Sequence, residues 1–328
     1  MSDKTSYDVI IIGSGPAGIT ASIYTIRANL STLIIAGTTP GGQLMITTDV
    51  DDYPGFPGGI QGPELMERMR KQAEMLGVKF INENVTKVNF KKKPFKLYID
   101  NNEYESRAVI IATGASARWM GLESEKKLIG KGVSACATCD GMFFKNKDVV
   151  VIGGGDTALR EALYLSRICK TITVVHRRNE LRAQRVLQDK AFNTENIKFI
   201  WNSEIIEFIG KEKLESVKIN NNKTNKTEEI KCSGAFVAIG HSPNTKFLKE
   251  GEHVKITKEF LNNQVKLDEH GYIVVKNIVK TSVEGVFAAG DVHDVRYKQA
   301  VTAAGAGCMA ALEVSEYLEE LKHKKLFN

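Results

Sequence analysis

The chain is poor in what a small secreted protein or a membrane protein needs. Cysteine is scarce: five among 328 residues, an odd number with one close pair, Cys136 and Cys139. That is not the even, repeated framework of a disulfide-stapled secreted scaffold, so a reducing compartment is expected. No apolar stretch approaches the roughly 20 residues needed to cross a bilayer. The opening MSDKTSYDVI lacks the basic segment and long apolar run of a secretory leader. A cytoplasmic chain with no membrane partner is the expectation. Charge of one sign is nowhere concentrated: the net charge of +6 is spread along the chain, which suits a solvated surface and not a nucleic-acid face. The length exceeds the usual single-domain size, so two domains are expected.

Glycine is present in two telling places. In YDVIIIGSGPAGITASIYTIRAN, an apolar run from Val9 to Ile12 breaks into glycines and continues as a helix-forming stretch. Gly13 permits the turn, Gly15 lets a diphosphate approach the backbone, and Gly18 allows close helix packing. The diphosphate then rests on the positive end of the helix. The same grammar returns in KDVVVIGGGDTALREALYLSRI, with Gly153, Gly154 and Gly155 after an apolar strand and Ala158 at the third small position. AVIIATGA (Ala108 to Ala115) and GAFVAIGH (Gly234 to His241) echo each other downstream of the two turns. A whole dinucleotide-binding module is therefore duplicated.

The end of each module's second strand, where an acid ordinarily holds the ribose hydroxyls, separates the two ligands. In the second module it reads TITVVHRRNELR. His176, Arg177, Arg178 and Arg182 are expected to present positive charge to a 2′-phosphate, so NADPH is the expected ligand there. In the first module Ala36 stands where the acid would be. Near the C-terminus, GVFAAGD ends a strand in Gly290-Asp291 before an alanine-rich helix. That arrangement sets a carboxylate against a sugar-alcohol chain and aims a helix N-terminus at a ring that becomes anionic on reduction, which suits FAD.

SACATCDGMFF, from Ser134 to Phe144, carries the cysteine pair. Such a pair closes a static staple, supplies half a zinc site, or does exchange chemistry. Zinc needs four ligands, yet Cys169, Cys232 and Cys308 are scattered singly and there is no second C-x-x-C. Redox chemistry is the reading the residues favour. Met142, Phe143 and Phe144 are either a docking surface, with Lys131 nearby, or buried packing. Cys308 and Met309 are expected in the core.

With these motifs in this order, together with GGQLMITTDVDDYPGFP and AIGHSPNT, the chain resembles the low-molecular-weight thioredoxin reductases from about residue 7 to about residue 320. The resemblance implies an α/β fold of two Rossmann-like domains of the three-layer ββα type, the NADPH domain inserted into a discontinuous FAD domain. The FAD domain would take residues 1–117 and 245–328, and the NADPH domain with the dithiol 118–244. It implies electron flow from NADPH to FAD, to the Cys136–Cys139 disulfide and to thioredoxin, with rotation of the NADPH domain between half-reactions and a homodimer as the working form. Cys139 would lie next to the flavin, Cys136 would attack thioredoxin, and Asp140 would give and take the proton. The FAD contacts would be Ser14, Gly15, Pro16, Ala17, Gln43, Asp52, Val85, Asp291, Lys298, Gln299 and Ala300. Those of NADPH would include Gly153, Gly155, Asp156, Thr157 and Ala158. Asp52, where Asn is usual, Lys298, where Arg is usual, and Arg160, where an acid is common, depart from the family pattern. A flavin dithiol oxidase and a nucleotide-binding redox sensor are the rival functions, and the arginine cluster speaks against the oxidase.

Overall fold

SYDVIII forms the strand Ser6–Ile12, and every core-facing residue of it is aliphatic or aromatic. The computed structural model describes residues 5–47, 49–248 and 264–326. It divides into two compact units, one of Met1–Ser116 with Ser242–Asn328 and one of Ala117–His241.

In the first unit the strand Ser6–Ile12 lies parallel between Thr32–Ile35 and the C-terminal half of the long strand Asn102–Ile111. Lys79–Ile81 extends the sheet on one side, and Val286–Ala288, returning from far along the chain, extends it on the other. The N-terminal half of Asn102–Ile111 instead pairs antiparallel with Phe95–Ile99, which pairs with Lys87–Asn89. Strand alternation then divides the core between two faces. Val9, Ile11, Ala108 and Ile110 meet the helices Pro16–Arg27 and Ala300–Leu326 through Ala17, Ala21, Ala306 and Ala310. Ile10, Ile12, Val109 and Ile111 meet Phe95, Leu97 and Ile99 of the hairpin layer. Helices, parallel sheet and β-layer make three layers.

The second unit repeats the plan. Its parallel sheet runs, in order, Val133–Ser134, Gly234–Val237, Asp148–Ile152, Thr171–Val175 and Ile197–Ile200. Val149, Val151, Ile172 and Val174 face the helices, while Val150, Ile152 and Val175 face the antiparallel sheet of Ser203–Ile209, Ser216–Asn221 and Thr227–Lys231. The registers coincide. Ile12 pairs with Ile35 and Ile111, and Ile152 pairs with Val175 and Val237.

The fifth strand of each sheet also coincides in space, though not in sequence. Val286 stands opposite Val109 and Val133 opposite Ala235, equivalent places on the strands that neighbour the two central ones. The turn that carries Asp291 and the turn that carries the two cysteines therefore leave the two sheets at the same position. The two crossings between the units, Ala115–Ala117 and His241–Pro243, pair as a short ribbon.

Candidate active site

The strand Val133–Ser134 delivers the cysteines to a single helical turn, Ala137–Asp140, for which Cys136 is the N-cap. Cys136 and Cys139 are joined as a disulfide, with Cα atoms 5.3 Å apart. Both are half-buried. The Cys139 N–H donates to Cys136 Sγ at 3.2 Å, and the Thr138 hydroxyl lies 3.3 Å from the same sulfur. These donors favour negative charge on Cys136 once the disulfide opens.

The turn is held from both sides. Ser134 Oγ accepts from Cys136 N–H at 3.0 Å. After Asp140 and Gly141, Phe144 is buried and meets Phe236 of the sheet edge-to-face at 5.5 Å. Met142 and Phe143 stay 52% and 43% exposed. The triplet thus divides, with Phe144 anchoring the turn and the other two offering apolar surface beside the dithiol.

In the first unit, Gly13 has φ +107°, and a Cβ there would collide with the carbonyl of Ala112. A Cβ on Gly18 would collide with the carbonyl of Gly13, whereas one on Gly15 would meet nothing within 4 Å. Two glycines close the turn and one leaves open space above it, in front of Pro16 and Ala17 at the helix start. Ser14 is buried, its hydroxyl donating to Ala36 O at 3.1 Å and accepting from Gly41 N–H at 3.0 Å. That bond draws the Gly41–Gly42 turn, with exposed Gln43 following, over Gly15. Val85 turns its side chain into the core, leaving its main chain outside the sheet's pairing.

A Cβ on Gly290 would stand 3.0 Å from Ala17 and 3.3 Å from Ala303, so the Asp291 turn sits between the starts of the first and last helices. Burial, with Asp294 close by, pushes the Asp291 carboxyl up to about 6, and Lys298 opposes the rise. Asp294 accepts from the N–H groups of Arg296, Tyr297 and Lys298. It folds Lys298 and Gln299 onto the start of the helix at Ala300. Asp52 is exposed, its carboxyl raised by desolvation and by Asp51.

The second glycine turn matches the first. A Cβ on Gly153 would meet Ala238 O, as one on Gly13 meets Ala112 O, and Gly155, like Gly15, has nothing within 4 Å. Ala158 is buried at the third small position, with Thr157 before it half-buried. The loop after Thr171–Val175 folds back over the turn. Arg182 N–H donates to Gly154 O at 2.8 Å and Gln184 N–H to Asp156 Oδ1 at 2.7 Å. Arg177, Arg178 and Arg182 are all exposed.

His176 does not stand with them as a cation. It is 4% exposed, and its ring fills the space where a Cβ on Gly154 would be. Burial lowers its pKa, and Arg182, Arg177 and Arg178 lower it further, so the imidazole is neutral at pH 7. Three arginines, not four basic groups, face solvent at this strand end. Cys308 and Met309 are likewise not core: Cys308 is half-buried and Met309 is partly exposed.

Sequence reasoning missed Ser134, Thr138 and Asp294. Serine two residues before Cys136 and aspartate two residues before Arg296 are ordinary signatures of side-chain to backbone turns, and those signals were available.

Residues 7–307 match the family model for pyridine nucleotide-disulphide oxidoreductases. The chain is 49% identical over 322 residues to thioredoxin reductase of Rickettsia felis, covering 97% of this chain and 100% of that protein. It is 48% identical to that of Coxiella burnetii, covering 98% and 99%. The solved structure of thioredoxin reductase from Giardia duodenalis superposes with a TM-score of 0.89 at 41% identity, covering 96% of this chain and 100% of that one.

Proposed function

This chain belongs to the pyridine nucleotide-disulphide oxidoreductase family, and from that premise we propose that it is an NADPH-dependent flavoprotein that reduces the disulfide of thioredoxin. The observation that carries the reading is the closed, half-exposed Cys136–Cys139 pair on the unit whose glycine turn is flanked by three exposed arginines.

The first unit fits FAD. Its turn leaves open space at Gly15, and a half-buried carboxyl, Asp291, stands between two helix starts. Gly13, Ser14, Gly15, Pro16, Ala17 and Gly18 would hold the diphosphate, with Asp291 on the sugar-alcohol chain. Gln43, Asp52, Val85, Lys298, Gln299 and Ala300 would complete the site. Gly153, Gly155, Asp156, Thr157 and Ala158 would hold the diphosphate of NADPH, and Arg177, Arg178 and Arg182 its 2′-phosphate. FAD, when bound, relays the electron pair from NADPH to the dithiol.

The chain's own residues account for the rest. Opening of the disulfide leaves Cys136 as the thiolate favoured by the Cys139 N–H and the Thr138 hydroxyl. Cys136 attacks one sulfur of the thioredoxin disulfide, forming a mixed disulfide and releasing the other sulfur as a thiolate, which takes a proton. Cys139 then attacks Cys136, reforming the internal disulfide and freeing the second thioredoxin thiol. Asp140, beside Cys139 in the turn, exchanges the protons. NADPH on the second glycine turn and the dithiol belong to one unit and must reach one flavin in succession, so the inserted unit turns between half-reactions. Gly114 and Gly240, both with positive φ, stand beside the two crossings where such a hinge would bend.

We further infer a homodimer, supported by exposed Tyr24, Val301, Met309 and Leu312 on two mutually packed helices of the first unit. A cytoplasmic location is supported by the unpaired Cys169, Cys232 and Cys308. No helix among the described residues is long and apolar enough to cross a membrane.

Trapping tests the roles of the two sulfurs. After reduction, Cys139→Ser should accumulate a covalent adduct with thioredoxin through Cys136, released by dithiothreitol. Accumulation in Cys136→Ser instead would reverse the assignment.

A further inference from the structure

A groove of about 860 Å³ runs over the second unit between the helices Asp156–Leu165 and Arg185–Phe192. Arg160, Tyr164 and Arg167 line one wall, and Val186 and Lys190 line the other. Arg160, Tyr164 and Arg167 recur at helical spacing, so they form one stripe. Among the described residues, Arg160, Arg167 and Lys190 enter no ion pair. The acid in the groove, Asp189, is paired with Arg185 at 3.4 Å. The surface therefore carries three positive charges outside any ion pair, beside apolar surface that includes Val186, 63% exposed.

This wall adjoins the dithiol. A Cβ on Gly141 would stand 3.2 Å from the ring of Tyr164 and 3.0 Å from Leu165, so the segment bearing Met142 and Phe143 rests on the last turn of the same helix. The dithiol turn Ala137–Asp140 itself packs on that helix. All three cations are exposed, which differs from a small-molecule site with its few convergent, enclosed polar groups. Exposed like charges at a rim act on a protein surface of the opposite sign through encounter rate and salt dependence.

We propose that this groove is a second contact region for thioredoxin, continuous with Met142 and Phe143, and that it selects thioredoxins whose reactive face is acidic at its border. The proposal rests on the thioredoxin reductase reading and adds to it which partner is preferred. Arg160, Arg167 and Lys190 are specificity residues here and take no part in the chemistry.

The test uses the FAD-loaded enzyme with NADPH saturating and an acidic-faced thioredoxin varied, comparing the native chain with Arg160→Glu/Arg167→Glu/Lys190→Glu. The KM for thioredoxin should rise on the order of tenfold or more, and its salt dependence should flatten. The rate at which NADPH bleaches the flavin in the absence of thioredoxin should not change. A thioredoxin with the border acids changed to lysine should invert the preference, serving the variant better than the native enzyme. If the triple change disturbs folding, Arg160→Gln/Arg167→Gln/Lys190→Gln should give a smaller rise of the same sign. An unchanged KM and salt slope in either folded variant overturns the proposal. Absence of thioredoxin turnover by the native enzyme overturns the functional reading itself and the docking site with it, an outcome seen before any variant is made.

Discussion

The two units solve one packing problem with the large and small residues exchanged. Ser14 and Ala36 occupy in the first unit the places of Gly154 and His176 in the second, by the coincident registers of Ile12 with Ile35 and of Ile152 with Val175. In the first, a serine hydroxyl reaches from the glycine turn to the strand end. In the second, the strand end sends an imidazole under the glycine turn. Each joins turn to strand, and each leaves the third residue of the turn, Gly15 or Gly155, open toward a ligand. In the function proposed above, ligand identity is set farther out, by Asp291 in one unit and by three arginines in the other. The cysteines take in the second sheet the place that the Asp291 turn takes in the first.

The largest effects should separate closing glycines from open ones. Gly18→Ala drives a methyl into the Gly13 carbonyl and should cost about 3 kcal/mol or more, seen as loss of folded holoprotein. Gly15→Ala and Gly155→Ala meet no protein atom. Each should keep the thermal midpoint of the unliganded chain and weaken only its own dinucleotide, FAD for Gly15 and NADP⁺ for Gly155. Equal loss of both ligands from either change would contradict the assignment of one dinucleotide to each turn.

Next in size is the arginine cluster. Replacing Arg177, Arg178 and Arg182 by alanine should raise the KM for NADPH on the order of a thousandfold while leaving NADH use and FAD content nearly unchanged. A parallel loss with NADH would place these arginines away from the 2′-phosphate.

A double-mutant cycle sharpens the exchange of sizes. His176→Ala should cost about 2–3 kcal/mol by opening a cavity beneath Gly154. Gly154→Ser alone collides with the imidazole. The two together should be more stable than the sum of the single changes, by urea unfolding. Strict additivity would mean that the ring and the turn do not touch.

The smallest effect concerns pH. The Asp291 carboxyl, raised to about 6 from an ordinary 3.8, holds its proton longer in the folded chain than in the unfolded one. Its contribution to stability is therefore present below about pH 4 and is lost as pH rises to about 6. In the FAD-free protein, Asp291→Asn should remove that fall from the thermal midpoint.

Much of this was legible in the chain. Both glycine turns, the duplication and the redox pair are local patterns, and local patterns survive in a linear reading. His176 was misread because a histidine at a strand end looks the same whether its ring turns to solvent or beneath the neighbouring turn. That direction depends on Gly154, and only the folded register brings the two together. The likeness of the Asp291 turn to the dithiol turn was hidden for a related reason. Val286–Ala288 joins its sheet from the far end of the chain, whereas Val133–Ser134 precedes the central strand of its own. Met142 and Phe144 were inseparable by composition, since only the contact with Phe236 distinguishes anchor from surface.

Electrons are expected to leave this protein through Cys136 and Cys139 to thioredoxin. Steady-state NADPH oxidation by the FAD-loaded chain, with thioredoxin as the sole acceptor, tests it most directly against Cys139→Ser. Turnover that requires thioredoxin and disappears in the variant is the expected result. NADPH oxidation that proceeds equally without thioredoxin, or that survives the loss of Cys139, would contradict it.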